Sequence, residues 1–173
     1  MYWADCVDYG LGMDDFQKSL LGSDFARGLV LAADAELHAA VKLLHLAQPQ
    51  AQALLTCRTA VELWLKALLA IKGCLDERKA RHLNHDLQKA FDLIVDVPGY
   101  RHWAPLKSRL AVFPPVSARY GPRTATPEDL WTASTLVQSL GAAVVREVSD
   151  RSTLRQVLRY GSPGPSPGGE SCD

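Results

Sequence analysis

The stretch from Leu54 to Ile71 is the most apolar part of this chain, yet three charged residues interrupt it at four-residue intervals: Arg58, Glu62 and Lys66. A span of about 18 apolar residues is long enough to cross a bilayer. Charges at that depth cost about 3 kcal/mol each, which argues against a membrane span. Because its apolar residues recur every three or four positions, the stretch is expected to form the central, most buried helix of a globular protein.

Composition and charge describe one ordinary domain. With 173 residues, 47% hydrophobic and 22% charged, the chain is able to bury a sizeable core. Its 19 basic and 19 acidic side chains cancel, which removes the overall positive field behind most non-specific nucleic-acid binding. Residues 97–125 nevertheless carry basic side chains and no acid. Any contact with a polar partner is therefore expected to be local.

The cysteines and the N-terminus indicate where the chain works. Cys6, Cys57, Cys74 and Cys172 are scattered, without a CxxC pair or ligand spacing, so we expect neither a zinc site nor a disulfide framework. The start of the chain has no basic region followed by an apolar one, as a signal peptide would. Phosphate-loop and dinucleotide motifs are missing as well. We expect a cytoplasmic protein with no membrane contact, no bound metal and no cofactor.

Helical periodicity predicts an all-α fold, an antiparallel four-helix bundle with short extra helices. The first helix is predicted to begin at Ser23-Asp24, and the second to run from about Gln50 to a C-cap at Gly73. Asn84 is predicted to cap a short third helix, and Thr126-Pro127 to open the last long one. Residues 74–81 are expected to be a charged connection. Residues 100–126 are expected to be loop with at most one short helix.

Three parts are predicted along the chain. An acidic N-terminal segment occupies 1–22, the bundle occupies 23–160, and a mobile Gly/Pro/Ser tail occupies 161–173.

The second helix and the segment after it carry a more specific pattern. Ala60, Glu62 and Lys66-Ala67 are followed by His85-Asp86-Leu87, and Arg119-Tyr120 precedes the last long helix. In this order and spacing, the chain resembles the HEPN family over roughly residues 24–148. The resemblance implies a four-helix bundle that pairs as a homodimer. It also implies work beside a minimal nucleotidyltransferase, or in toxin–antitoxin and defence systems.

The resemblance implies a binding module whose ligand is a nucleotide, an RNA or a partner protein. The candidate ligand-binding residues are Arg119, Tyr120, Arg123, His85, Asp86 and Lys66. Arg119 would supply charge and Tyr120 a stacking face. The alternative is structural: Arg119 bonds the last carbonyls of a helix while Tyr120 packs. Trp64 and Trp131 favour the dimer, since one small core is not expected to bury both.

Many HEPN proteins are metal-independent ribonucleases, with an arginine a few residues before a histidine near the start of the last helix. The corresponding segment here, 119–126, has no histidine, so we expect a non-catalytic module. Arg78 and His85 satisfy the spacing elsewhere, which leaves an alternative: an endoribonuclease in which Arg78 neutralises the phosphate and His85 moves a proton.

His85 itself has two readings. It either carries a proton, with Asp86 fixing its tautomer, or simply caps or packs at a helix start. Glu62 and Lys66 are expected to pair on the surface of the second helix.

Overall fold

A computed structural model of the chain describes residues 24–44, 51–116 and 125–160, and all the regular structure within them is helical. The elements are α1 (Asp24–Leu44), α2 (Ala51–Ile71), α3 (Glu77–Leu83), α4 (Leu87–Val95), a 3-10 helix (Arg101–Val112) and α5 (Pro127–Tyr160). The all-α prediction is confirmed for these residues. The predicted segments 1–22 and 161–173 lie outside them.

Helix α2 is the centre of the core. It packs against α1, α4 and α5, and Trp64, Leu65 and Leu68 are fully buried. Burying a large apolar side chain stabilises a fold by about 1.5–3 kcal/mol. The sequence prediction of a central buried helix is confirmed. No helix in the described ranges is both long enough and apolar enough to span a membrane.

Helix α1 covers one side of α2 with small residues. Ala26, Ala33 and Ala40 are buried along its inner face together with Val30 and Leu37. Alanines leave room for two helix backbones to approach each other closely. Helix α1 therefore lies directly on α2.

Two predicted helix boundaries are confirmed by their hydrogen bonds. At the start of α5, the Asp129 N–H donates to Thr126 Oγ1 and the Thr126 N–H donates to Asp129 Oδ2, each at 3.1 Å. This reciprocal arrangement is a capping box, and Pro127 occupies the first helical position, where no N–H is needed. After α2, Gly73 adopts a φ of +76°, and its N–H donates to the Ala70 carbonyl at 3.0 Å.

The region after Gly73 differs from the prediction. Instead of a plain connection over 74–81, it contains α3, which Asp76 caps by accepting the Lys79 N–H at 2.7 Å. An aspartate ahead of a short polar run satisfies free N–H groups at the helix start.

The predicted cap of the next helix is also wrong. Asn84 ends α3 with a φ of +51°, a conformation that asparagine tolerates better than most residues. Asp86 caps α4 instead, accepting the Lys89 N–H at 3.0 Å. Residues 84–86, which we call the α3–α4 corner, therefore join two short helices without a longer loop.

The segment after α4 is more regular than predicted. A single 3-10 helix continues past Pro105 to Val112. It is fixed at its start by Tyr100, whose ring meets Trp103 edge-on at 4.9 Å. The Tyr100 hydroxyl donates to Glu147 Oε2 on α5 at 3.0 Å.

Candidate functional site

Helix α2 directs three charged side chains toward the α3–α4 corner. Arg58, Glu62 and Lys66 follow one another at four-residue intervals and so lie on one face of the helix. All three residues are buried, Glu62 to 5% exposure. Removing charges from water is costly unless they are paired and hydrogen-bonded. Their partners therefore decide what this face of α2 does.

The carboxylate of Glu62 lies between two cations. The Lys66 ammonium donates to Glu62 Oε1 at 2.7 Å, and Arg58 Nη1 donates to Glu62 Oε2 at 3.3 Å. Two positive groups against one negative group leave a formal charge of +1 inside the protein. The expected pairing of Glu62 with Lys66 is confirmed, but its expected place on the helix surface is wrong, because both residues are buried and the α3–α4 corner contacts this face.

Both cations also hold the backbone of the corner. Arg58 Nη2 donates to the His85 carbonyl at 2.6 Å, and Lys66 Nζ donates to the Asn84 carbonyl at 2.7 Å. Carbonyls at the end of a helix lack the next helical N–H and need such donors. Positive charge is also favourable at a helix C-terminus. The corner is thus tied to α2 at two consecutive residues.

The imidazole of His85 completes the arrangement. Its Nδ1 lies 3.0 Å from Glu62 Oε1 and 3.1 Å from Glu62 Oε2. An ionised carboxylate only accepts, so Nδ1 carries the proton and donates. The His85 side chain is 50% exposed, and within the described residues no group hydrogen-bonds its Nε2. We call this set, formed by Arg58, Glu62, Lys66, Asn84 and His85, the Glu62 network.

Asp86 does not fix the tautomer of His85. Its carboxylate caps α4, as described above, while Glu62 from α2 receives the imidazole N–H. The partner of His85 therefore comes from 23 positions earlier in the chain. The sequence predicted Asp86 as the partner because it adjoins His85. No local signal in the sequence indicates the distant contact with Glu62.

Arg78 and His82 lie on α3, before the corner. Both are exposed, and His82 Nδ1 lies 2.8 Å from the Arg78 carbonyl. The structure records no hydrogen bond or ion pair between Arg78 and His85, two described residues. Their joint action stays a prediction.

The remaining candidates, Arg119, Tyr120 and Arg123, fall in 117–124, outside the described residues. Their proximity to His85, and their contact with a ligand, stay predictions.

Arg58 was missed as a site residue. Its spacing of four from Glu62 was the available signal, because a third charge in the same apolar stretch extends the pair into a row. Without knowledge of the corner, that row only argued against a membrane span.

A second polar cluster lies at the end of α2. Lys72 Nζ is 2.6 Å from Glu147 Oε1 and 5.2 Å from the centre of the Tyr100 ring. With the Tyr100–Glu147 hydrogen bond, this Glu147 cluster (Lys72, Tyr100 and Glu147) joins α2, the start of the 3-10 helix and α5.

Other reactive groups of the described residues give no further site. In the described ranges, no group of three or more metal-ligating side chains is suitably placed for a metal ion. Burial raises the pKa of the Cys57 thiol to about 12, so this thiol is protonated and unreactive at neutral pH.

Comparison with known proteins finds no family model, no curated protein and no solved structure that matches this chain. The function is therefore argued from the Glu62 network.

Proposed function

We propose that this chain is a HEPN-like binding module that recognises a phosphate-bearing ligand, a nucleotide or an RNA, at the α3–α4 corner. One observation carries the proposal. Glu62, Lys66 and His85 are three polar residues of the HEPN-like pattern, and Lys66 and His85 both lie within 3.1 Å of the Glu62 carboxylate, although His85 comes 23 positions after Glu62. In this proposal, α1, α2, α4 and α5 form an antiparallel four-helix bundle.

The charge of the Glu62 network favours an anion. The Glu62 network retains one excess positive charge beneath the half-exposed imidazole of His85, and a protonated histidine donates from Nε2 as well. Arg78 adds a solvent-exposed guanidinium on α3. We propose that Arg119, Tyr120 and Arg123 complete the site, with the arginines on phosphate and the ring against a base.

A binding titration tests this. A fluorescent single-stranded RNA oligomer and labelled ATP are titrated with the full chain at low salt. His85→Gln is expected to weaken binding about tenfold, equivalent to about 1.4 kcal/mol, and Arg119→Ala to weaken it and reduce its salt dependence. His82→Gln is the matched control, since it removes a nearby exposed imidazole outside the network. Absence of binding to both probes, or equal affinities for His85→Gln and the unaltered chain, contradicts the proposal.

We further propose that the module forms a homodimer and works with a minimal nucleotidyltransferase. Trp64 is buried in the core, whereas Trp131 on α5 is 63% exposed. Tryptophan is enriched at protein–protein interfaces relative to the rest of the surface. Light scattering at micromolar concentrations is expected to give a dimer mass that Trp131→Ala reduces. A monomer at all concentrations contradicts the dimer.

An endoribonuclease is the second candidate, favoured by the orientation of His85. Glu62 holds Nδ1, which leaves Nε2 available to take a proton from a ribose hydroxyl, and Arg78 is the candidate phosphate contact. RNA cleavage in the presence of a metal chelator, abolished by His85→Ala and reduced by Arg78→Ala, would support this function. Cleavage that persists in His85→Ala rejects it.

A further inference from the structure

Three imidazoles of the described residues are held through Nδ1, but their partners differ. His82 faces the neutral Arg78 carbonyl at 2.8 Å. His38 on α1 faces the Asp34 carbonyl at 2.9 Å and Asp34 Oδ1 at 3.3 Å. Only His85 has Nδ1 within 3.1 Å of both oxygens of one buried carboxylate.

The partner of Nδ1 determines the chemistry of Nε2. An imidazole that donates to a carboxylate is a stronger base and a better ligand at its other nitrogen than one that donates to a neutral group. In neutral His85, the lone pair is on Nε2, and the side chain is 50% exposed. His85 is therefore expected to be the most nucleophilic of the three imidazoles.

The cations beneath His85 favour one type of electrophile. Arg58 and Lys66 are fixed by hydrogen bonds to Glu62 and to the corner carbonyls. Their excess charge of +1 attracts the oxygens of an approaching phosphoryl group. The Asp34 carboxylate has no lysine or arginine partner among the described residues. A phosphoryl group is thus better accommodated at His85 than at His38.

We propose that Nε2 of His85 accepts a phosphoryl group, with Glu62 as the positioning residue. The phosphoryl donor is a molecule with a phosphorus–nitrogen bond of the phosphoramidate type. The Nε2 lone pair attacks phosphorus and forms the new P–N bond. The donor nitrogen is already protonated, so when the P–N bond of the donor breaks, its electron pair leaves with neutral ammonia. The Nδ1 proton is retained, so the ring becomes an imidazolium whose positive charge faces the Glu62 carboxylate. This reaction goes beyond reversible ligand binding and does not depend on it.

The experiment uses the full chain and potassium phosphoramidate at neutral pH with a metal chelator. Intact mass follows the addition of one phosphoryl group, and fragmentation of the alkaline-stabilised product locates it. Phosphorus NMR distinguishes an Nε2 adduct from an Nδ1 adduct. We expect His85 to react at Nε2 about tenfold faster than His82 or His38, a difference of about 1.4 kcal/mol in activation free energy. Equal rates at the three histidines, or an Nδ1 adduct at His85, overturn the proposal.

Variants separate the role of Glu62 from a structural one. His85→Gln is expected to remove the fast reaction, and His82→Gln to leave it unchanged. Glu62→Gln keeps an acceptor for Nδ1 but removes the negative charge, so a folded variant is expected to react at His85 only as fast as at His82. An undiminished rate in folded Glu62→Gln overturns the positioning role.

Nitrogen NMR of the unaltered chain provides a second test that needs no variant. Neutral His85 is expected to carry its proton on Nδ1, and a proton on Nε2 overturns the proposal. RNA binding in the absence of reaction, or reaction in the absence of binding, distinguishes this inference from the proposed function.

Discussion

The Glu62 network and the Glu147 cluster use similar residues for different ends. In the Glu147 cluster, the lysine and the tyrosine of separate segments meet on one carboxylate, and the result joins three elements. In the Glu62 network, three charges from a single helix hold two consecutive residues of one corner and an imidazole that is half exposed. We infer from the comparison that the Glu147 cluster is a structural contact between elements, whereas the Glu62 network positions the His85 imidazole.

The largest expected effect comes from removing the central carboxylate of the Glu62 network. Glu62→Ala leaves Arg58 and Lys66 buried with no negative partner, which is expected to lower the free energy of unfolding by about 3–5 kcal/mol. Urea denaturation measures the loss.

The matched control replaces the whole set. In Arg58→Met, Glu62→Leu, Lys66→Met, no unpaired charge remains, and such replacements are often neutral or stabilising. A triple variant near the stability of the unaltered chain would indicate that the network is retained for His85. A triple variant as unstable as Glu62→Ala would indicate that the network has a structural role, like the Glu147 cluster.

The Glu147 cluster is expected to give a smaller, purely structural effect. Tyr100→Phe removes a hydrogen bond to a charged acceptor and should cost about 1.5–3 kcal/mol in unfolding free energy. RNA binding and phosphoramidate reactivity are expected to be unchanged. Altered reactivity of His85 in this variant would contradict the separation of the two regions.

A smaller effect is expected at Asp86, which was predicted to orient His85 but caps α4. Asp86→Ala should lower the free energy of unfolding by about 1 kcal/mol through loss of the cap. The tautomer of His85, measured by nitrogen NMR, should not change. Asp76→Ala, which removes the equivalent cap of α3, is the matched control, and a shift of the tautomer only in Asp86→Ala would restore the sequence prediction.

The smallest effect is expected at Asp34, a carboxylate outside both regions. Burial raises the pKa of Asp34, and this effect is larger than the opposing effect of His38, which lowers the same pKa. A raised carboxyl pKa means that the folded state holds the proton more tightly, so stability falls as pH rises from 3.8 through the folded pKa. Asp34→Asn is therefore expected to raise the melting temperature slightly at pH 7 and to lose this gain near pH 3. A gain of equal size at both pH values would contradict the burial effect.

Local signals explain why some boundaries were predictable. The Thr126–Asp129 capping box and the positive φ of Gly73 depend on residues adjacent to them in the sequence. The choice of Asn84 or Asp86 as the cap of α4 does not depend on adjacent residues alone. Both residue types are good N-caps, and only the fold shows at which of them the helix begins. A propensity argument was therefore unable to place the start of α4.

The site itself was only partly predictable, for a related reason. A spacing of four along a helix is the same for an exposed pair and a buried one. Glu62 is buried, and His85 of the α3–α4 corner contacts its carboxylate. The resemblance identified Glu62, Lys66 and His85 as related, but their contact, and the part played by Arg58, depends on tertiary structure.

The hydrogen bonds from Arg58 and Lys66 to adjacent carbonyls limit how the sequence of the α3–α4 corner is able to vary. Two neighbouring peptide groups must each reach a fixed cation, so the number of residues in the corner is set by α2. Inserting one glycine before Asn84 would move both oxygens out of register at once, whereas exchanging the exposed side chains of α3 would leave them in place. Length, more than residue identity, is the property of this turn that the fold constrains.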